Sequence, residues 1–113
     1  MKIYLPRELR PTMVYFHGGG YLVGDGGADF YGAEWFMDYG VVLVTVNYRL
    51  GPLGFLSTGD EAAPGNQGLW DQRLALEWVR GNIAAFGGDP NKVLMPTRHV
   101  TCDSLNIAIC RAK

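Results

Sequence analysis

Met13-Val14-Tyr15-Phe16-His17-Gly18-Gly19-Gly20 sets four apolar or aromatic residues directly against a histidine and three consecutive glycines. A compact apolar run that stops at glycine reads as a buried strand feeding a glycine loop. Downstream, Val41-Val42-Leu43-Val44-Thr45-Val46 is almost continuously apolar and β-branched, the mark of a strand covered on both faces, as in a parallel sheet. Between them, Phe30–Tyr39 carries aromatics at mixed spacing and reads as a short helix ended by Gly40. Upstream, Lys2–Leu5 is a short strand candidate closed by Pro6, and Arg7–Pro11 reads as a turn or hairpin connection.

Beyond the second strand, Asn47–Asp60 reads as a loop with Gly-Pro and Thr-Gly-Asp turn signals. Pro64-Gly65-Asn66 opens the clearest helix, with Asn66 as its expected N-cap. Trp70, Leu74 and Trp78 lie four apart and form one apolar stripe, which reads as core packing. Gly81 weakens this helix by about 1 kcal/mol relative to alanine. Phe86-Gly87-Gly88 supplies the stop, with a glycine free to take the left-handed cap conformation. Asp89-Pro90-Asn91 reads as a turn, and Lys92-Val93-Leu94-Met95 as a third buried strand halted by Pro96. Strand, helix, strand, helix, strand predicts an α/β domain with a mostly parallel sheet and flanking helices. Three such strands need cover on both faces, so the isolated chain is expected to leave part of its apolar surface open.

The 113 residues suffice for one modest domain, and the apolar fraction of 48% is that of a globular chain. Ten basic residues nearly cancel eleven acidic ones, without a block of either sign. That balance points away from nucleic acid and from acidic membranes as partners. No apolar run approaches the ~18 residues of a membrane span. The two cysteines, Cys102 and Cys110, sit near the C-terminal end and suggest neither a disulfide framework nor a zinc site. No metal-ligand cluster is present and no cofactor is called for.

The chemistry of the chain concentrates in His17-Gly18-Gly19-Gly20. Glycines leave their amide N–H groups bare and free to converge on one oxygen, as a developing oxyanion requires. HGGG loops of this kind form part of lipase and esterase oxyanion holes. Phosphate-binding glycine loops are the competing reading. The chain has neither G-x-x-x-x-G-K-[ST] nor a G-x-G-x-x-G opening a clear helix.

Four blocks carry a wider resemblance. They are Val14 to Tyr21, Val41 to Leu56 (with Asn47-Tyr48-Arg49-Leu50-Gly51-Pro52), Ala63 to Arg73 (with Asn66-Gln67-Gly68-Leu69-Trp70-Asp71-Gln72), and Asn82 to Val93 (with Phe86-Gly87-Gly88-Asp89-Pro90). In order and spacing they resemble the type-B carboxylesterases and cholinesterases. The resemblance implies a partial α/β-hydrolase fold over 1–95 and a small-molecule ester as substrate of the intact family. It places Gly19 and Gly20 on the family's oxyanion donors, with His17 and Gly18 shaping the same motif.

The resemblance breaks after Val93. The family runs from there into a nucleophile elbow, G-x-S-x-G. Here Leu94-Met95-Pro96-Thr97-Arg98-His99 follows, and neither Ser57 nor Ser104 is flanked by glycine two residues before and after. The chain is therefore expected to stop before its catalytic serine, with no catalytic residue of the Ser/acid/His triad, and 96–113 reads as an unrelated, irregular tail. His99, Asp103 and Ser104 read as an accidental grouping. The alternative within the resemblance is a non-catalytic adhesion protein of the neuroligin type, and the intact glycines favour enzyme ancestry over it.

Two further residues are read against the core. Arg49 follows a buried strand and Asp71 lies on the helix beside its apolar stripe, so the two are expected to pair. Tyr21 follows the glycine loop, where it either lines an acyl pocket or packs.

Overall fold

The computed structural model describes residues 8–27 and 32–95. The strand expected at Lys2–Leu5 lies outside the described residues, as do His99, Cys102, Asp103, Ser104 and Cys110 of the expected tail. The described part is a three-stranded sheet in the order β2-β1-β3, with β1 at Arg10–Phe16, β2 at Val42–Val46 and β3 at Gly88–Leu94. Both pairings are parallel. Helix α1 (Glu34–Asp38) joins β1 to β2; α2 (Gly51–Phe55) and α3 (Gln67–Asn82) lie between β2 and β3.

β1 starts earlier than the sequence suggests. Arg10 donates its N–H to Gly87 O at 2.9 Å, and the register against β3 shifts between Arg10 and Thr12. Pro11 falls at that irregularity, where a residue without an N–H costs no ladder bond. Val14 and Phe16 of β1 are buried and form the core with Tyr48, Val79 and Ile83. The six-residue apolar run downstream forms β2, which is an outer strand of the described sheet and half-buried along its whole length. β3 also differs: it begins at Gly88, takes in the expected Asp89–Asn91 turn, and is exposed from Asn91 to Leu94.

The expected 47–60 loop contains helix α2. Leu50 is extended and Pro52 stands in the first turn, where its fixed φ and missing N–H suit a helix start. Gly40 ends α1 with φ +68°, as expected.

Helix α3 departs from its sequence reading in two ways. Asn66 takes the left-handed conformation at φ 59° and makes no side-chain cap; its carbonyl accepts from Leu69 and Trp70 instead. The Trp70–Leu74–Trp78 stripe faces outward, with 55%, 65% and 49% of each residue exposed. The face toward the sheet is Gly68, Gln72 and Val79, with Ala75 and Leu76 packed beside it. A helix presents its inner face at spacings of three and four, and 68-72-75-79 satisfies that spacing as well as 70-74-78 does. Glycine and glutamine on the true inner face disguise it. Gly68 is there because an added Cβ would lie 2.7 Å from the Phe55 ring and closer still to Arg49 O. Gln72 is buried, and its carboxamide has no hydrogen-bond partner among the described residues. Helix α3 runs into a 3-10 turn, Ile83–Phe86, closed by Gly87 in the left-handed conformation.

These packing differences predict opposite outcomes for two glycines of α3. Gly68→Ala is expected to destabilise the chain by about 1–3 kcal/mol, because backbone cannot yield to the new methyl. A Cβ at Gly81 meets nothing within 4 Å, so Gly81→Ala is expected to stabilise by about 0.5–1 kcal/mol. Denaturant unfolding of the two variants checks both signs.

Candidate functional site: the glycine loop and the strap that holds it

β1 and β2 are in register at Phe16↔Val46, so the chain leaves both strands side by side at one end of the sheet. His17–Gly20 follows the first and Asn47–Gly51 the second. This adjacency lets one segment fasten the other. Tyr48 OH donates to His17 O at 2.8 Å, Asn47 Oδ1 accepts from Gly26 N at 2.7 Å, and Gly51 N donates to Tyr21 O at 2.7 Å. Residues 47–51 thus form a strap across the glycine loop. Burial, with the charge of Tyr21 adding, pushes the Tyr48 phenol above its ordinary pKa, so it keeps the proton it donates.

Within the loop, Gly19 turns the chain. Its carbonyl accepts from the N–H groups of Leu22 and Val23 at 3.1 and 3.2 Å. Gly19 has φ +124°, and a Cβ there would lie 2.7 Å from the Val23 carbonyl carbon. Gly20 and Tyr21 follow with φ +61° and +63°. Tyr21 packs on Phe55 with ring centroids 4.8 Å apart and the rings tilted by 50°. It is partly buried and packs against the core. Gly19 and Gly20 are exposed, and neither donates its amide to an acceptor among the described residues.

His17 is only 1% exposed and its ring lies stacked on Tyr48, 4.7 Å away and 16° from parallel. Its Nδ1 is 2.9 Å from Gly18 O. A carbonyl oxygen only accepts, so Nδ1 carries the proton and donates. In a trans peptide the C=O and the next N–H point in opposite directions. Turning Gly18 O onto the imidazole therefore turns the Gly19 N–H away from it.

The strap is anchored in turn. Asp71 Oδ2 accepts from Arg49 N at 3.1 Å and from Nε at 2.7 Å, and Oδ1 accepts from the other guanidinium nitrogen at 2.7 Å. The expected pairing is present and bidentate. The side-chain hydrogen bond from Arg49 holds the Asp71 carboxyl below the usual range despite partial burial.

His17, Gly18, Gly19 and Gly20 are consecutive and lie in the loop that follows β1. Sequence reasoning gave no role to Asn47 or Tyr48. Tyr48 and Asn47 look like ordinary loop residues, and only the strand register shows that they face the glycines. Among the described residues, no group of histidine, cysteine or acidic side chains could hold a metal ion, and no helix is long and apolar enough to cross a membrane.

Residues 1–97 match the model of the carboxylesterase family. The chain is 47% identical over 111 residues to juvenile hormone esterase of Tribolium castaneum, covering 95% of this chain and 19% of that protein. It is 53% identical over 92 residues to human bile salt-activated lipase, covering 75% of this chain and 12% of that one. Its structure resembles the crystal structure of juvenile hormone esterase from Manduca sexta with OTFP covalently attached. The TM-score is 0.76 at 43% identity, over 80% of this chain and 17% of that one. The chain thus spans less than a fifth of the length of each of these three proteins.

Because Asp71 has a lower pKa folded than unfolded, its bridge contributes fully above the unfolded value of about 3.9 and is lost as pH falls through the folded one. Asp71→Asn is expected to lower stability at neutral pH, with the gap to the unsubstituted chain closing in acid. Urea unfolding across this pH range checks it; a gap independent of pH would refute the assignment.

Proposed function

The chain belongs to the carboxylesterase family, and we propose that it carries the oxyanion-stabilising part of a carboxylic-ester hydrolase. Gly19 and Gly20 are the donors, and His17 and Gly18 shape the loop. The observation that carries this reading is the pair of exposed glycines, Gly19 and Gly20, whose amides have no acceptors among the described residues, at the carboxyl end of the sheet. When a nucleophile adds to an ester carbonyl, the oxygen takes the negative charge of a tetrahedral intermediate. Fixed N–H groups about 2.7–3.1 Å from that oxygen stabilise it without having to reorganise. The relatives are named for different esters and lipids, so the shared expectation is the carboxylic ester bond, not a particular acyl or alcohol group.

The 113 residues supply that part without the rest. They contain no G-x-S-x-G, and the nucleophilic serine, the acid and the proton-shuttling histidine of this chemistry have no counterparts in the described site. Ser57 bonds the Gly59 amide in a surface turn instead.

Two measurements test the proposal. The 113-residue chain is expected to show no turnover of an aryl ester above buffer and no labelling by a fluorophosphonate. A serine labelled specifically would contradict the assignment. Titration with methylphosphonate, a tetrahedral oxyanion, is expected to move the Gly19 and Gly20 amide resonances more than any others. Unmoved amides would remove the donor role.

A further inference from the structure

We propose that Gly24 is a positioning residue for the Gly19 donor. Its missing side chain leaves the space in which His17 Nδ1 and Gly18 O meet, and that contact sets the direction of the Gly19 N–H. The proposal rests on the reading of Gly19 and Gly20 as oxyanion donors and adds a determinant of their aim.

The geometry singles out this glycine. A Cβ on Gly24 would lie 2.5 Å from Gly18 O and 2.6 Å from His17 Cε1, and closer still to His17 Nδ1. Two of these atoms are the donor and the acceptor of the His17–Gly18 hydrogen bond. A side chain at position 24 would enter between them.

The imidazole and Gly24 are both held in place. The imidazole is stacked on Tyr48, whose hydroxyl also holds His17 O. Behind Gly24, the Leu22 and Val23 amides are bonded to Gly19 O; ahead of it, the Gly26 amide is bonded to Asn47 Oδ1. Gly24 itself has φ +139°, which an L side chain rarely adopts. The soft coordinate that remains is rotation of the Gly18–Gly19 peptide plane. Rotation breaks the bond to Nδ1 and swings the Gly19 N–H with it, since the two ends of a peptide unit turn together.

The test uses the full 113-residue chain labelled with ¹⁵N. The imidazole nitrogen shifts of His17 report its Nδ1–H bond, and the Gly19 amide reports binding of methylphosphonate. Gly24→Ala is expected to abolish the Nδ1–H signature and to weaken the Gly19 response at least about tenfold, the worth of one charge-assisted hydrogen bond. Amides of β1 and β2 should stay in place. Adding Gly24→Ala to His17→Ala should change the Gly19 response less than in the unsubstituted chain, because the imidazole is no longer in the way. Strictly additive effects, or an unchanged His17 signature in Gly24→Ala, overturn the proposal. If Gly24→Ala unfolds the chain, His17→Phe decides. It keeps a ring against Tyr48 but has no donor, so it should reproduce the weakened Gly19 response with Gly24 intact; an undiminished response overturns the proposal. An unsubstituted chain whose Gly19 and Gly20 amides ignore methylphosphonate refutes the donor reading instead, and the His17 ring shifts in Gly24→Ala still report on the contact itself.

Discussion

The bidentate bond between Arg49 and Asp71 is the fastening on which the upper end of this molecule depends. Arg49 engages with its backbone N–H as well as its guanidinium, so the carboxylate grips the main chain directly. Its carbonyl is also a packing surface. Gly54 of α2 and Gly68 of α3 both lie so close to it that neither position has room for a Cβ. Two helices therefore converge on one residue, and both do so through glycine. The salt bridge is half-open to water on the arginine side, where Coulomb attraction alone contributes little. Its importance is geometric: it fixes where the chain runs after β2.

That path fixes the site. The residues flanking Arg49 reach across to the glycine loop through Asn47, Tyr48 and Gly51, while Arg49 reaches back to α3. A single five-residue strap joins a helix to a loop distant from it in sequence. Within the loop, bonds form the turn at Gly19 and the His17–Gly18 contact. The three bonds from residues 47–51 add order imposed from β2's exit, which follows from parallel pairing in register.

The parallel α/β architecture was legible because β-branched runs and glycine stops are local signals. The Arg49–Asp71 pair was legible from the placement of both residues beside buried segments in the motif blocks. Burial was not. The most apolar strand, Val42–Val46, turned out to be an outer one, and the exposed stripe of α3 is more hydrophobic than its buried face. Sequence records side-chain hydrophobicity. It does not record that Gly68 is buried for want of volume, or that Gln72 is buried at all. The helix at Gly51–Phe55 was missed because Pro52 signals a turn and a helix start equally. Tyr48 and Gly24 were missed because their roles belong to contacts made 31 and 7 positions away in the chain.

The main-chain donors proposed for this loop would give it an unusual mutational profile. A catalytic side chain is erased by one substitution, whereas the N–H of Gly19 or Gly20 survives every replacement except proline. Harm arises here by addition: each new side chain at Gly19 or Gly24 inserts atoms where backbone or imidazole already stands. The lesions to which this region is sensitive are therefore gains of bulk at residues with no functional group to lose. A scan that truncates side chains to alanine would enlarge these positions, reversing the usual meaning of the result.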